Sequence, residues 1–167
     1  SDLNIRCGED IVTKMSSKPL CEMLRCGVLC NNGDIATQDS IASDTSDIDE
    51  WSAAGDPTET ALLIAAAKGG MSHSAERTAF RRLDEIPFDS DTRRMTVTVR
   101  TPSGDTSSYT KGAADIILSR CTEILTSGGV KPLGYSTRKR IEDACAEMSS
   151  AALRVLAFAY KPKEIGR

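Results

Sequence analysis

The residues able to do chemistry in this chain are few and scattered. His73 is the only histidine. A histidine-based triad or multi-histidine metal site is therefore excluded except around that residue, which reads as a surface helix position. Cys21, Cys26 and Cys30 have spacings that zinc sites use, but no fourth ligand stands out beyond Cys7. The six cysteines are irregularly spaced and read as reduced thiols. Asp44, Asp47, Asp49 and Glu50 form an acidic run without ligand order, a solvated loop rather than a metal site. Neither G-x-x-x-x-G-K-[ST] nor G-x-G-x-x-G occurs, so the familiar glycine-rich phosphate cradles are absent. What remains is a set of single groups: Glu59, Phe88, Arg93, Lys111 and Arg154, with Met95 and Gly112 beside them. An aromatic face is a platform for a flat ring. A carboxylate accepts from an amine. Lys and Arg neutralise anions, and Arg can do so with two parallel bonds.

Composition bounds where such groups can sit. The 167 residues suit a single domain, 1–167, large enough to bury a core without staples. Charged residues make up 27% and aromatics only 4%, so the core must be aliphatic and an exposed aromatic is informative. A net charge of −3 gives no electrostatic footprint for nucleic acid or anionic lipid. The longest apolar run, Ala61 to Ala67, falls far short of the ~18 residues a membrane span needs. The chain starts at Ser1 with neither an initiator methionine nor a signal pattern, and excision from a longer protein, as a monomer, is the expectation.

The elements that must position these groups follow from periodicity. Apolar residues at 20, 23, 24 and 28 predict a helix from Leu20 to Leu29, ended by Asn31-Asn32-Gly33-Asp34. Residues 34 to 55 read as a loop. Asp56-Pro57-Thr58-Glu59 is a helix start, with Asp56 as cap, Pro57 first and Glu59 third, as in a capping box. That helix should stop at Gly69-Gly70, and a second should cover Ala75 to Arg82. Strands are predicted for Leu83 to Phe88, Met95 to Val99 and Thr106 to Lys111, with a hairpin turn at Thr101 to Asp105. Strand parity puts Arg93, Met95, Val97 and Val99 on one face, and Tyr109 with Lys111. Gly112 should break the last of these strands. Helices over Ala114 to Leu125 and from Ser136 to about Ala152 then precede a strand from Arg154 to Tyr160. The fold class is α+β, with an antiparallel sheet flanked by helices.

Four segments, in order, carry a resemblance. They are Gly55-Asp56-Pro57-Thr58-Glu59-Thr60-Ala61-Leu62, Pro87-Phe88-Asp89-Ser90-Asp91-Thr92-Arg93-Arg94-Met95, Tyr109-Thr110-Lys111-Gly112-Ala113-Ala114-Asp115, and Ala152-Leu153-Arg154-Val155-Leu156-Ala157. Together they resemble the nucleotide-binding domain of type II P-type cation-transporting ATPases, over roughly residues 20 to 160. The texture is nearest to calcium-type pumps. The resemblance implies a twisted antiparallel sheet with an ATP cleft. It implies that Phe88 stacks on adenine, that Glu59 accepts near the adenine amino group, and that Lys111 lines the pocket with Gly112 beside it. It places Arg154 near the phosphates, Arg93 where the family usually has lysine, and Met95 at a pocket methionine that reads more as packing. Loss of Lys111 should weaken ATP more than adenosine. Ala114 and Asp115 stand where the family usually has proline and glutamate.

The family's phosphorylated Asp-Lys-Thr-Gly-Thr and its Mg²⁺-handling Thr-Gly-Asp and Gly-Asp-Gly-Val-Asn-Asp segments do not occur here. The resemblance therefore implies a cytoplasmic piece of an integral membrane ATPase that binds ATP without turning it over. Mg²⁺ would come with the parent enzyme, and the parent's phosphorylation and actuator domains would be partners. The alternative is a regulatory domain of the same fold that has lost ATP.

Overall fold

The computed structural model describes residues 5–7, 10–12, 17–36, 52–54 and 56–163. The Cys7 side chain and the acidic run at Asp44, Asp47, Asp49 and Glu50 lie outside the described residues. Two short strands, β1 (Ile5–Cys7) and β2 (Asp10–Val12), pair antiparallel. Helix α1 (Lys18–Leu29) follows, with Pro19 in its first turn where no backbone donor is lost.

The loop predicted from 34 to 55 is partly structured. β3 (Asp34–Ala36) and β4 (Ser52–Ala54) close it as an antiparallel pair. Buried Ile35 accounts for this, because it packs among Leu24, Val28, Leu63, Ala66 and Met71. Helix α2 (Pro57–Lys68) starts as its sequence dictates, with Asp56 Oδ1 accepting from the Thr58 amide at 2.8 Å.

Helix α3 (His73–Ala79) ends earlier than its pattern suggests, because Arg81 already pairs with Arg100. The strand it feeds, β5 (Arg81–Asp89), carries Pro87. A proline is tolerated there because β5 is an edge strand with register shifts between Ile86 and Asp89. With β6 (Arg94–Arg100), β7 (Thr106–Ala113) and β10 (Leu156–Lys163) it forms a four-stranded antiparallel sheet in the order β10-β7-β6-β5. Gly112 does not break β7. It pairs with Arg94 on one side and Ala157 on the other.

The helix predicted from Ala114 to Leu125 is only α4 (Ala114–Arg120), and the remainder turns into a hairpin of β8 (Glu123–Thr126) and β9 (Gly129–Pro132). Helix α5 (Tyr135–Ser150) begins after Gly134 rather than at a Ser136 cap. The architecture is α+β with helices around an antiparallel sheet, as the sequence predicts.

The core has two layers with α1 between them. One side of α1 puts Cys26, Leu29 and Cys30 against Met95, Val97, Val99 and Tyr109 of the sheet. The other side puts Leu24 and Val28 against α2. Val28, Cys30, Leu63, Val97 and Val99 are completely buried.

Candidate functional site

Two side chains singled out in the sequence touch. Lys111 projects from β7 toward the first turn of α2, and its Nζ lies 3.2 Å from Glu59 Oε1. Both are largely enclosed, with side-chain exposures of 8% and 19%. Partial burial strengthens the attraction relative to a surface pair but also removes hydration from both charges.

Glu59 does not close a capping box. Its second oxygen, Oε2, accepts instead from the backbone amide of Asn32 at 3.2 Å. Asn31 binds the same residue from behind: its Nδ2 donates to the Glu59 carbonyl at 2.8 Å and to Gly27 O at 3.2 Å. The Asn31-Asn32-Gly33 turn thus fastens the C-terminus of α1 to the start of α2.

Asn32 extends the connection to the sheet edge. Its Nδ2 donates to Glu85 Oε1 at 2.8 Å, and its Oδ1 accepts from Arg82 at 2.7 Å. Arg82 also pairs with Glu85 Oε2 at 2.5 Å and donates to the carbonyls of Leu29 and Asn31. Phe88 lies three residues beyond Glu85 on β5, with 57% of its surface exposed. For a large aromatic in a chain this poor in aromatics, that exposure forgoes burial worth ~2 kcal/mol.

The other predicted residues occupy different settings. Met95 is opposite Lys111 in the β6–β7 ladder but only 2% exposed, packed in the core. Gly112 abuts the start of the neighbouring strand β6: a Cβ there would stand 2.6 Å from Arg93 O and 2.8 Å from Arg94 Cβ. Arg93 is not on the β6 face that parity gives it. It sits in the preceding turn at φ 50, and its guanidinium donates to Asp115 at 2.6 Å. That contact holds the Asp115 carboxyl below the usual carboxylate range. Arg154 is exposed in the connection before β10. The hydrogen bonds from Thr58 hold the Asp56 carboxyl low, and Arg154 adds a smaller attraction.

Sequence reasoning missed Asn31, Asn32, Arg82 and Glu85. The signals were the Asn-Asn-Gly turn, read as a helix stop, and the run Val28-Leu29-Cys30-Asn31, which looks like the family's pattern but names no role. His73 pairs with Asp34 at 3.1 Å, and among the described residues no group of three His, Cys, Asp or Glu could hold a metal. Cys26 and Cys30 are buried against carbonyls of the sheet, and burial pushes the Cys26 thiol up. No helix among the described residues is long and apolar enough to cross a membrane.

Comparison with known proteins places residues 19–165 on the family model described as "P-type ATPase, cytoplasmic domain N". The chain is 37% identical over 149 residues to the calcium-transporting ATPase of Bacillus subtilis, covering 89% of this chain and 16% of that protein. It is 45% identical over 107 residues to calcium-transporting ATPase 1 of Bacillus cereus, covering 64% and 12%. It is 38% identical over 143 residues to the cation-transporting ATPase pma1 of Synechocystis, covering 86% and 14%. The chain thus spans less than a fifth of the length of these relatives.

Proposed function

The chain belongs to the family of P-type ATPase cytoplasmic N domains, and on that footing we propose that it holds ATP for a cation pump of the calcium type. The parent would hydrolyse ATP through a phospho-aspartate on a separate domain. This chain would supply the grip on the nucleotide and would not turn over alone. Bound ATP would supply the γ-phosphoryl group, and Mg²⁺ would come with the parent enzyme. Because phosphoryl transfer depends on positioning and charge neutralisation, a separate domain can hold the base end. Its partners would be the phosphorylation and actuator domains of the same chain, on the cytoplasmic side of the membrane.

One observation supports this reading above the rest. The exposed ring of Phe88 stands on the strand whose Glu85 is tied through Asn32 to Glu59. A flat platform and a fixed acceptor carboxylate are what an adenine base needs. In this proposal Phe88 stacks on the base and Glu59 accepts from its exocyclic amine. Lys111 lines the pocket and holds one oxygen of Glu59 in place. Since its ammonium is engaged by Glu59, removing Lys111 should weaken adenosine as well as ATP, with ATP losing more. Arg154 is the leading phosphate cation, and Arg93 would have to exchange Asp115 for phosphate.

Titration of the ¹⁵N-labelled chain with ATP, ADP and adenosine tests the proposal. The expected Kd is on the order of 0.1–10 mM, since a millimolar constant corresponds to about −4 kcal/mol. Amide signals near Glu59, Phe88 and Lys111 should move. A spectrum unchanged at about 10 mM ATP, where even the weakest binding in that range would half-fill the site, would favour the domain that has lost ATP.

A further inference from the structure

We infer that Asn32 is a positioning residue that sets the preference for adenine over guanine, an inference that rests on the ATP-holding role of Glu59. The Asn32 backbone amide holds one oxygen of the Glu59 carboxylate, and Lys111 holds the other. Each oxygen has a second lone pair. With both oxygens pinned by donors from the protein, the free lone pairs point in fixed directions. The exocyclic amine of adenine can use such an acceptor. Guanine presents a carbonyl oxygen at that place, which the carboxylate repels. A site built around a specific hydrogen bond rejects the analogue that cannot make it.

The backbone amide of Asn32 can aim at Glu59 only if the turn is fixed. Asn31 holds the buried side of the turn through Gly27 O, Glu59 O and the Gly33 amide, and the Asn32 side chain ties its outer side to the sheet edge. It donates to Glu85 at 2.8 Å and accepts from Arg82 at 2.7 Å. Arg82 is itself anchored by Glu85 and by two carbonyls at the end of α1. The three side chains of Asn32, Glu85 and Arg82 form a closed ring in which each donor meets an acceptor. Asparagine suits position 32 because one amide must donate to a carboxylate and accept from a guanidinium. Aspartate lacks the donor, and alanine lacks both groups.

The test measures Kd for ATP and for GTP on the 167-residue chain and on Asn32→Ala, Asn32→Asp, and Asn32→Asp combined with Glu85→Gln. The wild type should prefer ATP. Asn32→Ala and Asn32→Asp should lose roughly fivefold in ATP affinity, the scale of one hydrogen bond, with GTP changed by less than about twofold. In the paired exchange the glutamine amide donates to the new carboxylate, which still accepts from Arg82, and the ATP preference should return. Folding is followed in each variant by thermal melting, and if the alanine variant unfolds, the paired exchange decides. ATP and GTP falling by the same factor, or an unchanged ratio in a folded single variant, would overturn the inference. Wild-type chain that binds neither nucleotide would remove the ATP-holding role itself, and a bound but indifferent wild type would remove only the selectivity.

Discussion

Lys111 on β7 and Glu59 on α2 are joined across the interior by a 3.2 Å contact, 52 residues apart in sequence. The contact locks the first turn of a helix onto the sheet. Lys111→Ala would strip Glu59 of its cation while leaving the carboxylate mostly enclosed. Stability should fall by about 1–3 kcal/mol, the cost of an unpaired polar group. Adding Glu59→Gln should return part of that loss, because a neutral amide is cheaper to leave without a cation. Urea denaturation of the two variants decides. A double variant no more stable than Lys111→Ala would show that the charge of Glu59 is not what suffers.

Gly112 offers a separate test of how tightly the site's backbone is packed. A Cβ added at this position would meet Arg93 O at 2.6 Å, Arg94 Cβ at 2.8 Å and Arg94 Cα at 3.0 Å, all main chain or rooted to it. Main chain in a sheet cannot swing aside as a side-chain tip can. Gly112→Ala should therefore cost about 1–3 kcal/mol through overpacking. It should also displace the Arg93–Ala113 hydrogen bond, which is 3.0 Å long. A melting temperature equal to the wild type would contradict this packing.

The sequence carried the strands and the start of α2 because local signals and tertiary demands agree there. Val97 and Val99 alternate with exposed or half-exposed neighbours, and Asp56-Pro57 suits a helix start whatever it packs against. The failures share a cause. Cys26 and Cys30 are free thiols, as their irregular spacing predicts, but they also form the sheet-facing side of α1, which the apolar positions 20, 23, 24 and 28 leave out. Arg81 and Arg82 continue a helical pattern, but pairing with β6 draws them into β5. Of the site, the residues with distinctive chemistry were legible singly. The polar ring around Asn32 was not, because its members are separated by up to 53 residues and only the fold brings them together.

Phe88→Ala should separate binding from folding. The ring is 57% exposed on an edge strand, so little burial is lost. Stability should stay within about 0.5 kcal/mol of the wild type, as for most exposed positions. ATP, ADP and adenosine should all weaken, each by about 1–3 kcal/mol, because stacking concerns the base alone. Loss confined to ATP would assign the ring to something other than adenine.

Tyr109 gives the fold a dependence on alkaline pH. Its hydroxyl donates to Glu22 Oε2 at 3.3 Å. Its ring stacks on Tyr160 at 5.9 Å and meets Phe80 edge-on at 6.4 Å. Burial raises the pKa of the phenol, and the Glu22 carboxylate pushes it further the same way. The folded chain therefore keeps this proton where the unfolded chain has lost it. Between the two values the native state binds more protons, so stability falls as pH rises. The contribution is complete below a tyrosine's ordinary pKa of about 10 and drains away above it. Tyr160 is shifted in the same direction by burial and adds to the slope. Tyr109→Phe removes the larger ionisation while keeping the ring. Its unfolding free energy, measured by urea from about pH 9 to 11 around that ordinary value, should decline less steeply than that of the wild type. Parallel slopes would mean that the Tyr109 hydroxyl titrates alike in both states, against its enclosure beside Glu22.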